Sequence, residues 1–171
     1  MEFWEAYQEL IDRQDYPGLV RYAKQQAERY PDDPYAQYYL GDAYVLNGEY
    51  GKAIEFMTEH HRSNPWNSDF QHVILDALFA LGKTEDDFDW VGKPVVLRMS
   101  QDIVDTCCEL LRCKRNPRTV TELHSQFISK GYLLFTEDDL LQALVKDGRF
   151  AVENPDSVFS AQIRIDSKKR R

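Results

Sequence analysis

The residues with the strongest claim to chemistry are three cysteines, four histidines and one glycine-rich turn. Cys107, Cys108 and Cys113 fall within seven residues. A structural zinc site takes four Cys or His ligands, usually as two closely spaced pairs. These cysteines lack that paired spacing and a matching His, and Cys107 reads as a small buried hydrophobe. His60 and His61 are adjacent, so on a helix they point about 100° apart and do not chelate one ion. His60 falls in an inward register and is expected to be partly buried. His124 has no nucleophile beside it. Gly48-Glu49-Tyr50-Gly51-Lys52 has the glycines and lysine of a phosphate loop. The spacing is too short, however, and no Ser or Thr follows the lysine. Carboxylates are plentiful, at 29 Asp and Glu, but no pair sits in an apolar run that would raise one pKa. No catalysis, no cofactor and no metal are expected.

The elements that position these residues come from a repeat. Tyr16 recurs as Tyr50, Pro31 as Pro65 and Gly48 as Gly82, all at an offset of 34. Leu40 maps to Ile74, Leu10 to Tyr44 and Leu78, and Ile11 to Val45 and Phe79. In the middle unit Ala36, Tyr39, Leu40, Ala43 and Tyr44 fall at helical spacing. Asn47-Gly48 ends that helix. Tyr50, Ala53, Ile54 and Met57 form a second stripe, closed by Asn64-Pro65. The flanking sequence predicts helices over about 3–13, 17–30 and 68–82. The last of these has no partner helix, because Thr84 and Asp87 stand where Tyr and Ala are expected. Residues 1–82 therefore read as five helices: two full repeats and a capping helix.

This pattern resembles the tetratricopeptide repeat. Leu40-Gly41, Tyr44, Gly48, Ala53 and Pro65 match the family spacing, while Gln37, Met57 and His60 depart from it. The resemblance implies a concave groove lined by the first helix of each pair, holding an extended peptide or a helix of a partner. Carried over position by position, the groove residues are Trp4, Gln8 and Ile11, then Tyr35, Tyr38, Asp42 and Val45, then Asp69, His72, Asp76 and Phe79. Val45 and Ile11 have the strongest competing reading, as plain core. Family members that capture a C-terminal carboxylate need Lys, Arg and Asn in the groove. Asp42 and Asp76 stand there instead, so that activity is not implied. The partner expected is another protein, with basic and apolar residues.

Residues 83–94 form an acidic linker whose Phe88 and Trp90 are expected to pin it onto one module. Beyond it, residues 95–166 predict an edge strand over Val95 to Met99, a helix from Ser100 to about Cys113, and a strand position at Val120. A second helix is capped by Thr121 and a third by Thr136. A hairpin of RFAVE and VFSAQIRID follows. This order resembles a winged helix-turn-helix. The fold class expected is mainly α: a short α-solenoid followed by a small α+β winged-helix-like domain and a basic tail, 167–171.

A winged helix reads DNA through its third helix. Here that helix opens on Glu137-Asp138-Asp139, which suits the helix dipole and repels phosphate. Basic residues gather instead at Arg112, Lys114, Arg115 and Arg118, and at Arg164, Lys168, Lys169, Arg170 and Arg171. Arg164, Lys168 and Lys169 are the candidate nucleic-acid contacts. The net charge of −8 is divided unevenly. Residues 1–90 carry 7 Lys and Arg against 18 Asp and Glu, while residues 91–171 carry 14 against 11. The acidic first half opposes nucleic acid. The reading is therefore a protein-interaction adaptor or scaffold. The alternative is a transcription regulator, with the repeats as sensor and the winged helix on DNA. No apolar run approaches the length of a membrane span. The first ten residues carry three Glu and no base, unlike a secretory leader. With an odd, clustered set of cysteines, this predicts a reduced, cytoplasmic setting.

Overall fold

A computed structural model describes residues 3–112 and 116–166. Cys113, Lys114, Arg115 and the tail with Lys168, Lys169, Arg170 and Arg171 lie outside the described residues. The chain divides into two compact units, 1–94 and 95–171.

The first unit contains α1 (Phe3–Asp12), α2 (Tyr16–Arg29), α3 (Pro34–Leu46), α4 (Tyr50–Ser63) and α5 (Ser68–Ala80). Each helix packs on the next, and α3 also packs on α5, so the five stand in tandem. The period of 34 reappears in the backbone at the helix ends. Gln14, Gly48 and Gly82 all take left-handed conformations, with φ of 56°, 74° and 70°. Each closes the helix before it by the same pair of bonds. Asp15, Glu49 and Lys83 donate N–H to the carbonyls of Leu10, Tyr44 and Leu78, at 3.0, 2.8 and 2.9 Å. Gln14, Gly48 and Gly82 donate to Ile11, Val45 and Phe79. This double closure satisfies carbonyls that a helix end leaves unpaired. Asp33 and Asn67, again 34 apart, cap α3 and α5 through the N–H groups of Tyr35 and Asp69.

Gln37 departs from the repeat pattern for a visible reason. It is buried, and its amide nitrogen donates to the carbonyls of Pro31, Ala27 and Tyr30 at 3.1–3.3 Å. Gln71 makes the matching bond to Pro65 at 2.8 Å and adds one to Gly92 at 3.1 Å. Gly41 marks a close helix crossing. A Cβ there would lie 2.9 Å from Met57 Sδ on α4 and 3.1 Å from Val73 Cγ1 on α5.

The segment after α5 belongs to the same unit. It makes one 3-10 turn (Glu85–Asp87) inside a reciprocal cap between Thr84 and Asp87. Phe88 and Trp90 then pack on the core of α4 and α5, against each other and beside His61. The Trp90 indole N–H donates to the Glu85 carbonyl at 2.7 Å.

The second unit runs β1 (Val96–Arg98), α6 (Gln101–Arg112), β2 (Arg118–Thr119), α7 (Val120–Ile128), β3 (Tyr132–Leu134), α8 (Glu137–Lys146), β4 (Phe150–Glu153) and β5 (Gln162–Ile165). Strands β2, β5 and β4 form one antiparallel sheet in that order. The core joins Cys107 and Leu111 of α6, Leu123 and Phe127 of α7, Leu140 and Leu144 of α8, and Ile163 of β5. Two readings are corrected. Thr119, not Thr121, caps α7, in a reciprocal box with Glu122. Val120 is the first residue of that helix, fully buried, and the strand positions are Arg118 and Thr119. The strand expected over Val95 to Met99 is β1, and it pairs in parallel with β3, a partner the sequence pattern did not reveal. Among the described residues no helix is long and apolar enough to cross a membrane.

Candidate functional site

Helices α1, α3 and α5 bring together a group of aromatic and acidic side chains. Tyr7 of α1 is buried, and its hydroxyl donates to Asp42 Oδ2 at 2.8 Å, 3.1 Å from the Tyr39 carbonyl oxygen. Burial, then the neighbouring Asp42 carboxylate, raises the Tyr7 hydroxyl far above its ordinary range. Asp42 is itself raised, by burial and by the charge of Asp76; the Tyr7 hydrogen bond works against that shift. Tyr38 is pushed up to about 12, first by burial and then by Asp42, Asp69, Tyr39 and Asp76. Carboxylates of α3 and α5 thus act electrostatically on one hydroxyl.

Aromatic rings line the neighbouring part of this face. Trp4, 53% exposed, stands 5.9 Å from the Tyr39 ring and 6.3 Å from Tyr7. Tyr39 also meets Tyr38 edge-on at 5.1 Å. Tyr35 and His72 are exposed and Phe79 is half-buried. Gln8 donates to Asp12 Oδ1 within α1 at 2.9 Å. Ile11 and Val45 pack against the core. Tyr7 and Tyr39 were missed as members of this face. Tyr7 lies 34 residues before Gly41, so the repeat register pointed to a small residue there.

His61 was missed too. Its neighbour His60 is half-buried between Phe56 and Phe70. His61 is the fully buried one, and neither ring nitrogen has a hydrogen-bond partner. Its ring meets Trp90 at 5.2 Å and Phe88 at 5.9 Å, both edge-on. Burial holds both histidines below the ordinary range. The signal for His61 lay outside the repeat, in the aromatic pair of the linker.

In the second unit the acidic start of α8 is occupied with capping and local bonds. Asp139 completes a box with Thr136, Glu137 accepts from Thr121 at 3.0 Å and Asp138 accepts from Gln142 at 2.6 Å. The described cations of the basic clusters face carboxylates. Arg112 pairs with Glu109, Arg118 with Glu122, and Arg164 with Glu153. Arg149 bridges Asp105 and Asp147, both at 2.7 Å, and its guanidinium holds Asp147 down to about 2. Cys107 and Cys108 are buried free thiols, and burial pushes Cys107 up to about 12, far from the reactive thiolate range. Among the described residues no three metal-ligating side chains converge.

Comparison with known protein families, with curated proteins and with solved structures gives no match to this chain.

Proposed function

We propose that residues 1–94 form a tetratricopeptide-type array, a short α-solenoid, acting as an adaptor. It takes a basic, partly apolar segment of another protein across the face of α1, α3 and α5. The observation that carries this reading is the exposed Trp4 ring beside Tyr39, Tyr38 and the Tyr7–Asp42 pair, on helices whose Asp42, Asp69 and Asp76 all raise the Tyr38 hydroxyl. Such a field draws cationic segments and governs association rate, while rings supply the anchoring contacts. The second unit is of winged-helix type. The order α6, β2, α7, α8, β4, β5 with sheet order β2-β5-β4 supports it. That order is also what favours the second reading, a transcription regulator. The paired arginines and acidic α8 start weigh against it, because phosphate binding needs cations free to release counterions.

Calorimetric titration with matched basic-apolar and acidic-apolar peptides at two salt concentrations tests the adaptor reading. Asp69→Asn with Asp76→Asn is expected to weaken the basic peptide and flatten its salt response. Tyr38→Ala is expected to weaken it with the salt response unchanged. Asp42 is left intact because it holds the Tyr7 hydroxyl. Tighter binding of the acidic peptide would reject the reading. Salt-dependent retention of random duplex DNA at low micromolar protein would favour the regulator.

A further inference from the structure

A second, smaller site is built where α2 passes into α3. Phe3, Gln26, Tyr30, Asp33, Tyr35 and Ala36 line a pocket of about 120 Å³. Its walls are held in place by contacts already present in the fold. Phe3 stacks on Tyr22 at 5.6 Å and leans on Tyr39 at 4.9 Å. Tyr30 caps the end of α2, and its carbonyl accepts from Asp33 N–H at 3.1 Å and from buried Gln37 at 3.3 Å. Asp33 caps α3 through one oxygen, on the Tyr35 N–H at 3.0 Å. Capping uses half of the carboxylate and leaves its charge at the pocket.

Folding gives no account of why two of these rings stay open to solvent. Tyr30, at the end of α2, is 47% exposed and Tyr35, in the first turn of α3, is 65% exposed, on either side of a turn tied down by Gln37. Aromatic faces attract cations, and here one already does: the Arg29 guanidinium sits 5.4 Å from the Tyr30 ring centre. Three rings and one carboxylate around a small apolar space fit a cation that is weakly hydrated and apolar on its outside. A bare ammonium is too strongly hydrated to gain from such a pocket. Methylation removes its N–H donors and spreads its charge over methyl groups, which suits ring faces.

We propose that this pocket binds a methylated ammonium group, held by Phe3, Tyr30 and Tyr35 and neutralised by Asp33. The proposal does not rest on the adaptor reading, since free choline alone can test the pocket without any peptide partner. Two sources share this chemistry: a free choline-type molecule and a trimethylated lysine side chain.

The test is an amide chemical-shift titration of the whole chain. The probes are choline, a short trimethyllysine peptide, its unmodified lysine counterpart, and 3,3-dimethylbutanol, the neutral isostere of choline. The two methylated cations are expected to shift the amides of Asp33, Tyr35 and Ala36 at millimolar concentration, with the neutral isostere and unmodified lysine several-fold weaker. Whichever cation binds more tightly identifies the source. Tyr35→Ala removes one exposed wall and is expected to weaken binding by about two- to fivefold, the usual worth of one ring at an exposed site. Asp33→Asn keeps the cap, because Asn caps as well as Asp, and is expected to weaken the cations while leaving the isostere unchanged. Equal shifts from choline and its neutral isostere would overturn the proposal. So would the absence of shifts at these amides, or binding indifferent to both substitutions in variants that melt like the parent.

Discussion

Gln14 holds the left-handed position that glycine fills one and two repeats later. A side chain with a Cβ is strained there by roughly 1–2 kcal/mol, and glycine is not. Glycine also adds freedom to the unfolded chain, which offsets part of the gain. Gln14→Gly is therefore expected to stabilise the protein by up to about 1 kcal/mol, read as a higher urea midpoint at unchanged slope. His61 makes the opposite kind of residue-scale case. Its two nitrogens are buried without partners, and replacing such a group by an apolar one of similar size is neutral or stabilising. Its folded pKa lies below the ordinary value, so the unfolded chain takes up protons first. Stability is thus complete above roughly pH 6.5 and is lost as pH falls through the folded value. His60 acts in the same sense. Asp42, raised by burial, acts in the opposite sense but lower, in the carboxylate range. His61→Leu should flatten the loss of melting temperature between pH 7 and 5. An unchanged acid limb would show that His61 does not titrate on unfolding. The repeat register made His60 legible as an inward residue and concealed His61, because what covers His61 is not part of any repeat.

At the scale of elements, the five helices of the first unit could be read from spacing, since their apolar stripes and the breaks between them recur along the sequence. Gly41 shows how far such a reading extends. The family spacing singled it out as a matching position; the structure adds that it lies at a helix crossing, where the nearest atom belongs to Met57, a flexible side chain. Gly41→Ala crowds both Met57 Sδ and Val73 Cγ1 by a few tenths of an ångström and should be close to neutral, the helix-propensity gain of about 1 kcal/mol offsetting those small shifts. Gly41→Leu has to push both side chains much further and should cost about 1–3 kcal/mol in urea midpoint. Equal effects of the two substitutions would place the crossing elsewhere. The second unit was legible in its helices and hairpin and not in β3. Tyr132–Leu134 is three residues long and pairs in parallel with Val96–Arg98, some 36 positions earlier, so no local pattern announces it. The acidic residues of α3 and α5 were legible only through the groove positions that the family resemblance implies, whereas the Tyr7–Asp42 bond needed the packing of α1 beside α3.

At the scale of the molecule, the question is what ends the helical array. Spacing gave a fifth helix with no partner, and an unpartnered stripe would leave α5 exposed. In the structure the place beside α5 is filled by residues 84–94, which are not a helix. Phe88 and Trp90 cover the α4–α5 core, Gln71 ties Gly92 to the Pro65 turn, and Thr84 and Asp87 close the entry. The acidic linker is thus the cap of the first unit. Removing it strips two half-buried aromatics, worth about 2–3 kcal/mol together at the usual value of apolar burial, and it opens His61 to water. Residues 1–94 should accordingly unfold in one cooperative transition, and residues 1–82 should melt at least several degrees lower or aggregate on expression. Phe88→Ala with Trp90→Ala in residues 1–94 should reproduce most of the loss with the chain length unchanged. If 1–82 and 1–94 melt together, the segment is a passenger on α5. If the double variant melts like its parent while 1–82 does not, the backbone bonds of Gly92 and Thr84, rather than the two rings, carry the cap.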